Sequence, residues 1–308
     1  MRVSLLRLGR LSDRTVCPTA LLSCQGFHRR KTLLYTDNYA LLKKEQTLEH
    51  IEALADFWSD VRTQNKERFS DKILRRLFVL NHAPNGMWTY LVSVYFLHHR
   101  QPDGMLEEAP FFQFLERITA FIWAYTLTNP GVNALRTPAF QEMAQIVRGE
   151  EATFANFRFE RENFISVFRN YRFHNQRPIT KSMITWWAFQ FDGQALLDLG
   201  CSFHIEHIYA RNRAEMEPTA AIRPRLELLG NKSLLEQRIN IRASDYRFAD
   251  KVKYYKGLHK KKAPTRIYEL LEMADQQTDF TEDDIVRRNE RILNGFVDYL
   301  DRCGLLKE

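Results

Sequence analysis

Cysteine is scarce in this 308-residue chain: Cys17, Cys24, Cys201 and Cys303 are all there is. They are too few and too scattered for a disulfide framework, and no Cys-x-x-Cys pair suggests a zinc ribbon, so a reducing, cytoplasmic location is expected. Glycine and proline are also sparse, with 12 and 10 residues, which leaves little material for flexible linkers or for an all-β architecture and its many turns. Long apolar runs are missing as well. Residues 88–97 are too few to span a bilayer, and residues 111–128 are interrupted by Glu116 and Arg117, so both read as buried helices and no membrane association is expected.

Aromatic bulk and positive charge, by contrast, are plentiful. With 22 Phe, 12 Tyr and 5 Trp the chain has ample core-forming surface, and a mainly α-helical body is the expectation. The formal net charge of +7 suggests a polyanionic partner, and its distribution is uneven. Residues 1–34 carry seven Lys/Arg against Asp13 alone, residues 201–262 carry fourteen against seven Asp/Glu, and the remainder is net acidic. The first segment, residues 1–35, reads as a basic arm. It is Arg-rich and acid-poor like an organellar transit peptide, lacks the continuous apolar region of a secretory signal, and reads equally as a plain extension.

From residue 36 the pattern is helical. Leu48, Ile51, Leu54, Phe57, Trp58 and Val61 recur at spacings of three and four behind Thr47, a candidate N-cap. Further helices are predicted over 70–80, 88–99, 111–128, 138–147, 160–169 and 180–199, completing a helical domain over 36–199. No fixed-period repeat and no sustained heptad is present. The texture then changes: a short strand at 202–209, a polar turn-like stretch at 210–225, a second extended piece at 228–235 and a short helix at 244–256 make up a compact unit over 200–262. Two helices follow within 263–308. The second begins with a capping box, Thr281 with Asp284, and shares Ile285, Ile292, Leu293, Phe296, Val297 and Leu300 on one face.

The chemistry-bearing residues sit in the compact unit. Phe203-His204-Ile205-Glu206-His207-Ile208-Tyr209 places an acid beside a histidine at a strand end, Gly230-Asn231 follows, and Asn240 comes nine residues later, with Phe248 and Lys251 beyond. This order resembles an HNH nuclease motif of the ββα-metal (His-Me finger) type. In detail, Glu206-His207-Ile208-Tyr209-Ala210-Arg211, the segment 228–235, Asn240, Phe248 and Lys251 are similar to the carboxy-terminal domain of GmrSD-type restriction endonucleases, a family that cuts modified DNA. The helical segment containing Trp186-Trp187 is also similar. The family's amino-terminal ParB-like nucleotide-dependent domain, with its DGQQR-like motif, has no counterpart. Asp192-Gly193-Gln194 matches three letters only and lies in another region. The resemblance therefore implies the carboxy-terminal half alone, either encoded separately, with a ParB-like protein as partner in trans, or truncated from a longer enzyme.

It further implies a mainly α (α+β) fold: a helical body with an embedded ββα-metal module and C-terminal helices packing on it. The implied activity is metal-dependent cleavage or nicking of DNA in restriction or phage defence. Hydrolysis of a phosphodiester needs an activated water, stabilised phosphoryl oxygens and help for the leaving oxygen. His207, with an ordinary pKa of about 6.5, is the expected base. Glu206 and the side-chain oxygen of Asn240 are hard donors for Mg²⁺, Mn²⁺ or another divalent cation. By resemblance Asn231 braces the loop and orients the base, and Lys251, Arg211 and Arg213 hold flanking phosphates, with Lys260, Lys261 and Lys262 as a further DNA-backbone contact.

His204 has two readings, a further metal or phosphate contact or a packed strand residue. Cys201, His204 and His207 offer zinc-compatible ligands, but a spacing of three does not suit alternating strand positions. Arg158, Arg161, Arg169 and Arg172 lie among aromatics over 154–173, where core packing with snorkelling arginines is preferred to base stacking. The rival function is a non-catalytic DNA-binding or assembly subunit retaining the nuclease fold; a third is a helical protein whose affinity for DNA resides in the basic arm alone.

Overall fold

The computed structural model describes residues 45–307 apart from Val132 and Ala220. The basic arm, with Cys17 and Cys24, lies outside these residues. The body is mainly helical. Helices α1 (Glu45–Thr63), α2 (Asp71–Asn81), α3 (Met87–His99), α4 (Glu108–Thr128) and α5 (Arg136–Val147) come first, followed by α6 (Arg161–Asn170) and α7 (Pro178–Ala188). Helix α4 has eleven buried residues, among them Phe114, Ile118, Phe121 and Trp123, because its apolar positions occur on more than one face and neighbours cover them all. Phe57 stacks on Phe96, and Phe121 on Phe154, with ring centroids 4.4 and 3.9 Å apart. The buried apolar residues form one cluster running from Leu54 to Leu306.

The compact unit follows. Strand β1 (Phe203–His207) is followed by two short helices, α8 (Arg211–Met216) and α9 (Ile222–Leu226), then a 3-10 turn at Leu229–Asn231 and strand β2 (Lys232–Glu236). The two strands pair antiparallel, with Phe203 opposite Glu236, Glu206 opposite Ser233 and His207 opposite Lys232. Helices α10 (Gln237–Ala243) and α11 (Phe248–Tyr255) come next, and α12 (Tyr268–Gln276) and α13 (Glu282–Arg302) complete the chain. Thr281 caps α13 through the Asp284 backbone N–H, with Asp284 returning the bond, and the face expected of this helix is buried in full.

Four sequence expectations are corrected. Thr47 lies inside the first turn of α1 rather than capping it. The helix expected over 180–199 ends at Ala188, and beyond it the chain passes close to Tyr268, where a Cβ on Gly193 would meet the ring at 2.3 Å. Gln194 then fastens the non-helical stretch, donating to the Arg266 carbonyl and accepting from the Tyr268 N–H at 3.0 Å. The stretch 210–225, expected as turns, contains α8 and α9. The helix expected to start at Ser244 starts only at Phe248 as α11, and the unexpected α10 before it ends where Ser244 takes a left-handed φ of 44°.

His82 closes the C-terminus of α2. Its Nδ1 lies 3.1 Å from the Phe78 carbonyl, and its own carbonyl accepts from the Ser182 hydroxyl at 2.6 Å. Burial is the main reason its pKa falls to about 4. The folded state thus favours the neutral ring, so this contribution to stability is complete above the unfolded pKa of about 6.5 and is lost as pH falls from there through 4. Urea denaturation between pH 7 and 4 is expected to show a falling midpoint, and His82→Gln to remove part of that slope. Identical slopes for both proteins would contradict the assignment.

Candidate functional site

Strand alternation sends Glu206 and His207 to opposite sides of β1, and each finds a lysine. Glu206 is only 2% exposed. Its Oε1 accepts from Lys251 Nζ at 2.7 Å and from the Tyr255 hydroxyl at 2.6 Å, and Lys251 also donates to the His207 carbonyl at 2.5 Å. Lys251 and Tyr255 are one turn apart on α11, which is why both reach the same carboxylate. Burial raises the Glu206 pKa, outweighing the pull of Lys251 and Tyr255. Lys251 was expected at a flanking phosphate; at 1% exposure it is instead the internal counter-ion that makes a buried carboxylate tolerable.

On the other side, His207 Nε2 lies 2.7 Å from Lys232 Nζ. Lys232 also donates to Glu227 Oε2 at 2.9 Å and to Asn175 Oδ1 at 3.0 Å, so its three donors are all used and the histidine nitrogen is an acceptor. Glu227 in turn lies 3.4 Å from both Arg211 and His174, whose side chains are half exposed and open the cluster to solvent. Burial first, then the charges of Lys232, Arg211 and Lys251, bring the His207 pKa down to about 2. The expectation that the free protein's His207 takes up a proton near neutral pH is corrected accordingly.

Asn231 joins the strand end to the turn before β2. Fully buried, it accepts from the Tyr209 N–H at 2.7 Å and donates to the carbonyls of Tyr209 and Leu226, both at 3.3 Å. Its own carbonyl accepts from the Ile208 N–H at 3.0 Å. The preceding Gly230 packs so closely on α13 that a Cβ would lie 2.0 Å from the Ile285 carbonyl oxygen. Arg288 fixes the same turn from α13, donating to the carbonyls of Leu229, Gly230 and Lys232 at 3.2, 2.9 and 2.8 Å. Its other donors meet Glu269, which also accepts from the Trp187 indole at 2.8 Å. Burial alone would raise the Glu269 pKa, but Arg288, Trp187 and Arg291 together hold it below the ordinary carboxylate value.

Asn240 sits on α10, which packs against both strands, and its Nδ2 donates to the Ile205 carbonyl at 3.4 Å. The amide therefore lies against β1 next to Glu206. Among the described residues neither Asn240 Oδ1 nor Glu206 Oε2 receives a hydrogen bond, and both are hard oxygens of the kind that Mg²⁺ or Mn²⁺ prefers. No group of three or more His, Cys, Asp or Glu placed to hold a metal occurs among the described residues, and His204 is exposed at the start of β1.

The outer cations divide. Arg213 is engaged by Asp279, bidentate at 2.7 and 2.9 Å, by Glu217 and by the Tyr209 ring, so it ties α8 to the loop before α13 rather than reaching for phosphate. Arg211 keeps one long contact, and Lys260, Lys261 and Lys262 are exposed. Sequence reasoning missed Lys232, Glu227, Asn175 and Tyr255. The antiparallel register offered a route to Lys232, since it directly follows the Gly-Asn pair and must face His207; the others become neighbours only through the fold.

Lys232→Met is expected to raise the His207 pKa while leaving it below 6.5, because burial, the larger cause, remains. Titration of the imidazole carbon protons by NMR reads this directly, and an unchanged midpoint would contradict the contact.

Residues 150–294 match the family model described as GmrSD restriction endonucleases, C-terminal domain. No curated protein matches the sequence.

Proposed function

Residues 150–294 belong to the C-terminal domain family of the GmrSD restriction endonucleases, and on that premise we propose that the chain is a divalent-metal-dependent endonuclease that hydrolyses or nicks DNA in restriction-type defence. One observation carries the reading. The Glu206-His207 strand end, the Asn231 brace and the Asn240 helix are successive parts of one strand–strand–helix unit, with the Asn240 amide against β1 beside Glu206. This unit is read as an HNH-like ββα-metal module. Base-modified DNA is the substrate that the resemblance favours.

In this reading Glu206 and Asn240 would hold the cation, which would supply Lewis-acid stabilisation of the phosphoryl group and the departing oxygen. His207 removes the proton of the attacking water, oriented by the Asn231-braced turn. In the free protein that role is suppressed by burial and then by the surrounding positive charge. A phosphodiester drawn in by the half-exposed Arg211 offsets part of that charge, competes for the Lys232 ammonium and raises the basicity of the ring, while burial still holds it below its ordinary value. Lys260, Lys261 and Lys262 meet flanking phosphates as point charges.

A second reading is favoured by the Lys232 contact itself, which occupies His207 Nε2. Here the chain is a DNA-binding or assembly subunit that does not hydrolyse, acting with a separate ParB-like protein. Supercoiled plasmid, plain and base-modified, incubated with Mg²⁺, Mn²⁺ or EDTA separates the two. The nuclease reading expects metal-dependent nicking, reduced at least about a hundredfold in His207→Ala. Salt-sensitive DNA retention without cleavage supports the subunit instead. Cleavage undiminished in His207→Ala would remove His207 from the mechanism.

A further inference from the structure

The inner face of α11 is spent on Glu206, but its outer face carries a different chemistry. Tyr254 points away from Tyr255 and lies parallel to Tyr246, with ring centroids 6.0 Å apart and planes 4° apart. It also lies 5.0 Å from the His259 ring. Three rings therefore run from the break after α10 to the turn after α11. Apolar edges flank them: Tyr246 is 49% exposed, Leu258 67% and Ile241 66%, large values for residues that a soluble surface does not need.

Unpaired cations lie close to this row in sequence. Arg238 and Arg242 lie one turn apart on α10, and Lys260, Lys261 and Lys262 directly follow His259; among the described residues none of these five forms an ion pair. The nearby acids are already occupied. Asp245 accepts from the backbone N–H groups of Arg211 and Asn212, Asp250 pairs with Lys253, and Asp275 pairs with Lys256. Lys260 and Lys261 hold left-handed φ angles of 55° and 48°, a conformation that costs energy in residues with a side chain.

We propose that the Tyr246–Tyr254–His259 row, with Arg238, Arg242 and Lys260 to Lys262 beside it, is a binding platform for unpaired nucleobases of single-stranded or locally opened DNA next to the cleaved phosphate. This rests on the DNA-directed reading of the adjoining module. Rings without cations would suit an apolar partner, and cations without rings would grip any duplex backbone. A half-buried Tyr254 carrying the exposed rings of Tyr246 and His259 beside unpaired cations suits strands whose bases are free to stack while their phosphates are neutralised. A platform of this kind selects for substrate already opened, and it is insensitive to base identity because every base presents a π face.

The test is fluorescence anisotropy of the full chain in EDTA, which prevents cleavage, with a labelled 15-nucleotide single strand and the matching duplex. Tyr246→Ala and Tyr254→Ala are each expected to weaken single-strand binding about tenfold while changing duplex binding little, and Tyr246→Phe to bind as the parent does. A Lys260→Ala, Lys261→Ala double variant is expected to weaken both ligands and to flatten the salt dependence. Unchanged single-strand affinity in the Ala variants, or equal weakening of single strand and duplex, would overturn the proposal. So would displacement of the single strand by a polyglutamate peptide at equal concentration, since that points to an acidic protein as occupant. Ring-dependent single-strand binding in a chain that never cleaves plasmid leaves the platform standing while the nuclease reading falls. Plasmid cleavage with ring-independent binding does the reverse.

Discussion

A carboxylate removed from water must be neutralised within hydrogen-bonding distance, and Glu206 meets that requirement through Lys251 and Tyr255. This pair is the constraint on which the compact unit depends. It fixes β1 against α11, and because Lys251 also holds the His207 carbonyl, it sets the height at which the strand ends. The next side chain then has to emerge on the opposite side, where Lys232, paired with His207 by register, is waiting. Two adjacent residues of one strand are thereby given separate electrostatic environments by two lysines from different elements. Truncating one member of the buried pair would leave the other unpaired, a change that typically costs about 3–5 kcal/mol.

A second buried pair supports the first from behind. Arg288 spends its donors on Glu269 and on three carbonyls of the turn around Asn231, and Gly230 admits α13 at a distance no side chain would permit. The brace on the strand end is thus anchored to the longest helix of the carboxy-terminal region. Local stiffness of this kind suits a site whose chemistry depends on placing a water, a phosphate and a base together.

Much of this was legible in the sequence where the information is local. The helices of the body, the Thr281–Asp284 cap and the buried face of α13 follow from periodicity and capping chemistry, which operate over three or four residues. The order of Glu206, His207, Asn231 and Asn240 was also readable, because a strand–strand–helix unit is compact in sequence. What escaped was pairing over distance. Lys251 and Arg213 read as free cations until Glu206, 45 residues earlier, and Asp279, 66 residues later, are seen beside them. The break at Ser244 carries no glycine or proline to announce it, and the close approach of Gly193 to the Tyr268 ring joins residues that only the fold brings together.

Burial and charge together account for the state of the site: His207 is buried among Lys232, Arg211 and Lys251, which lowers its pKa, and in the proposed reading the site receives an anion before the ring acts as a base. The most direct measurement is a crystal structure of the full chain with a non-hydrolysable phosphorothioate oligonucleotide and Mn²⁺, using anomalous scattering to place the metal. The account predicts a Mn²⁺ peak bounded by Glu206 Oε2, Asn240 Oδ1 and a phosphoryl oxygen, with Lys232 turned from His207 toward the phosphate. DNA bound elsewhere, or no metal beside Glu206 with Lys232 still on His207, would contradict it.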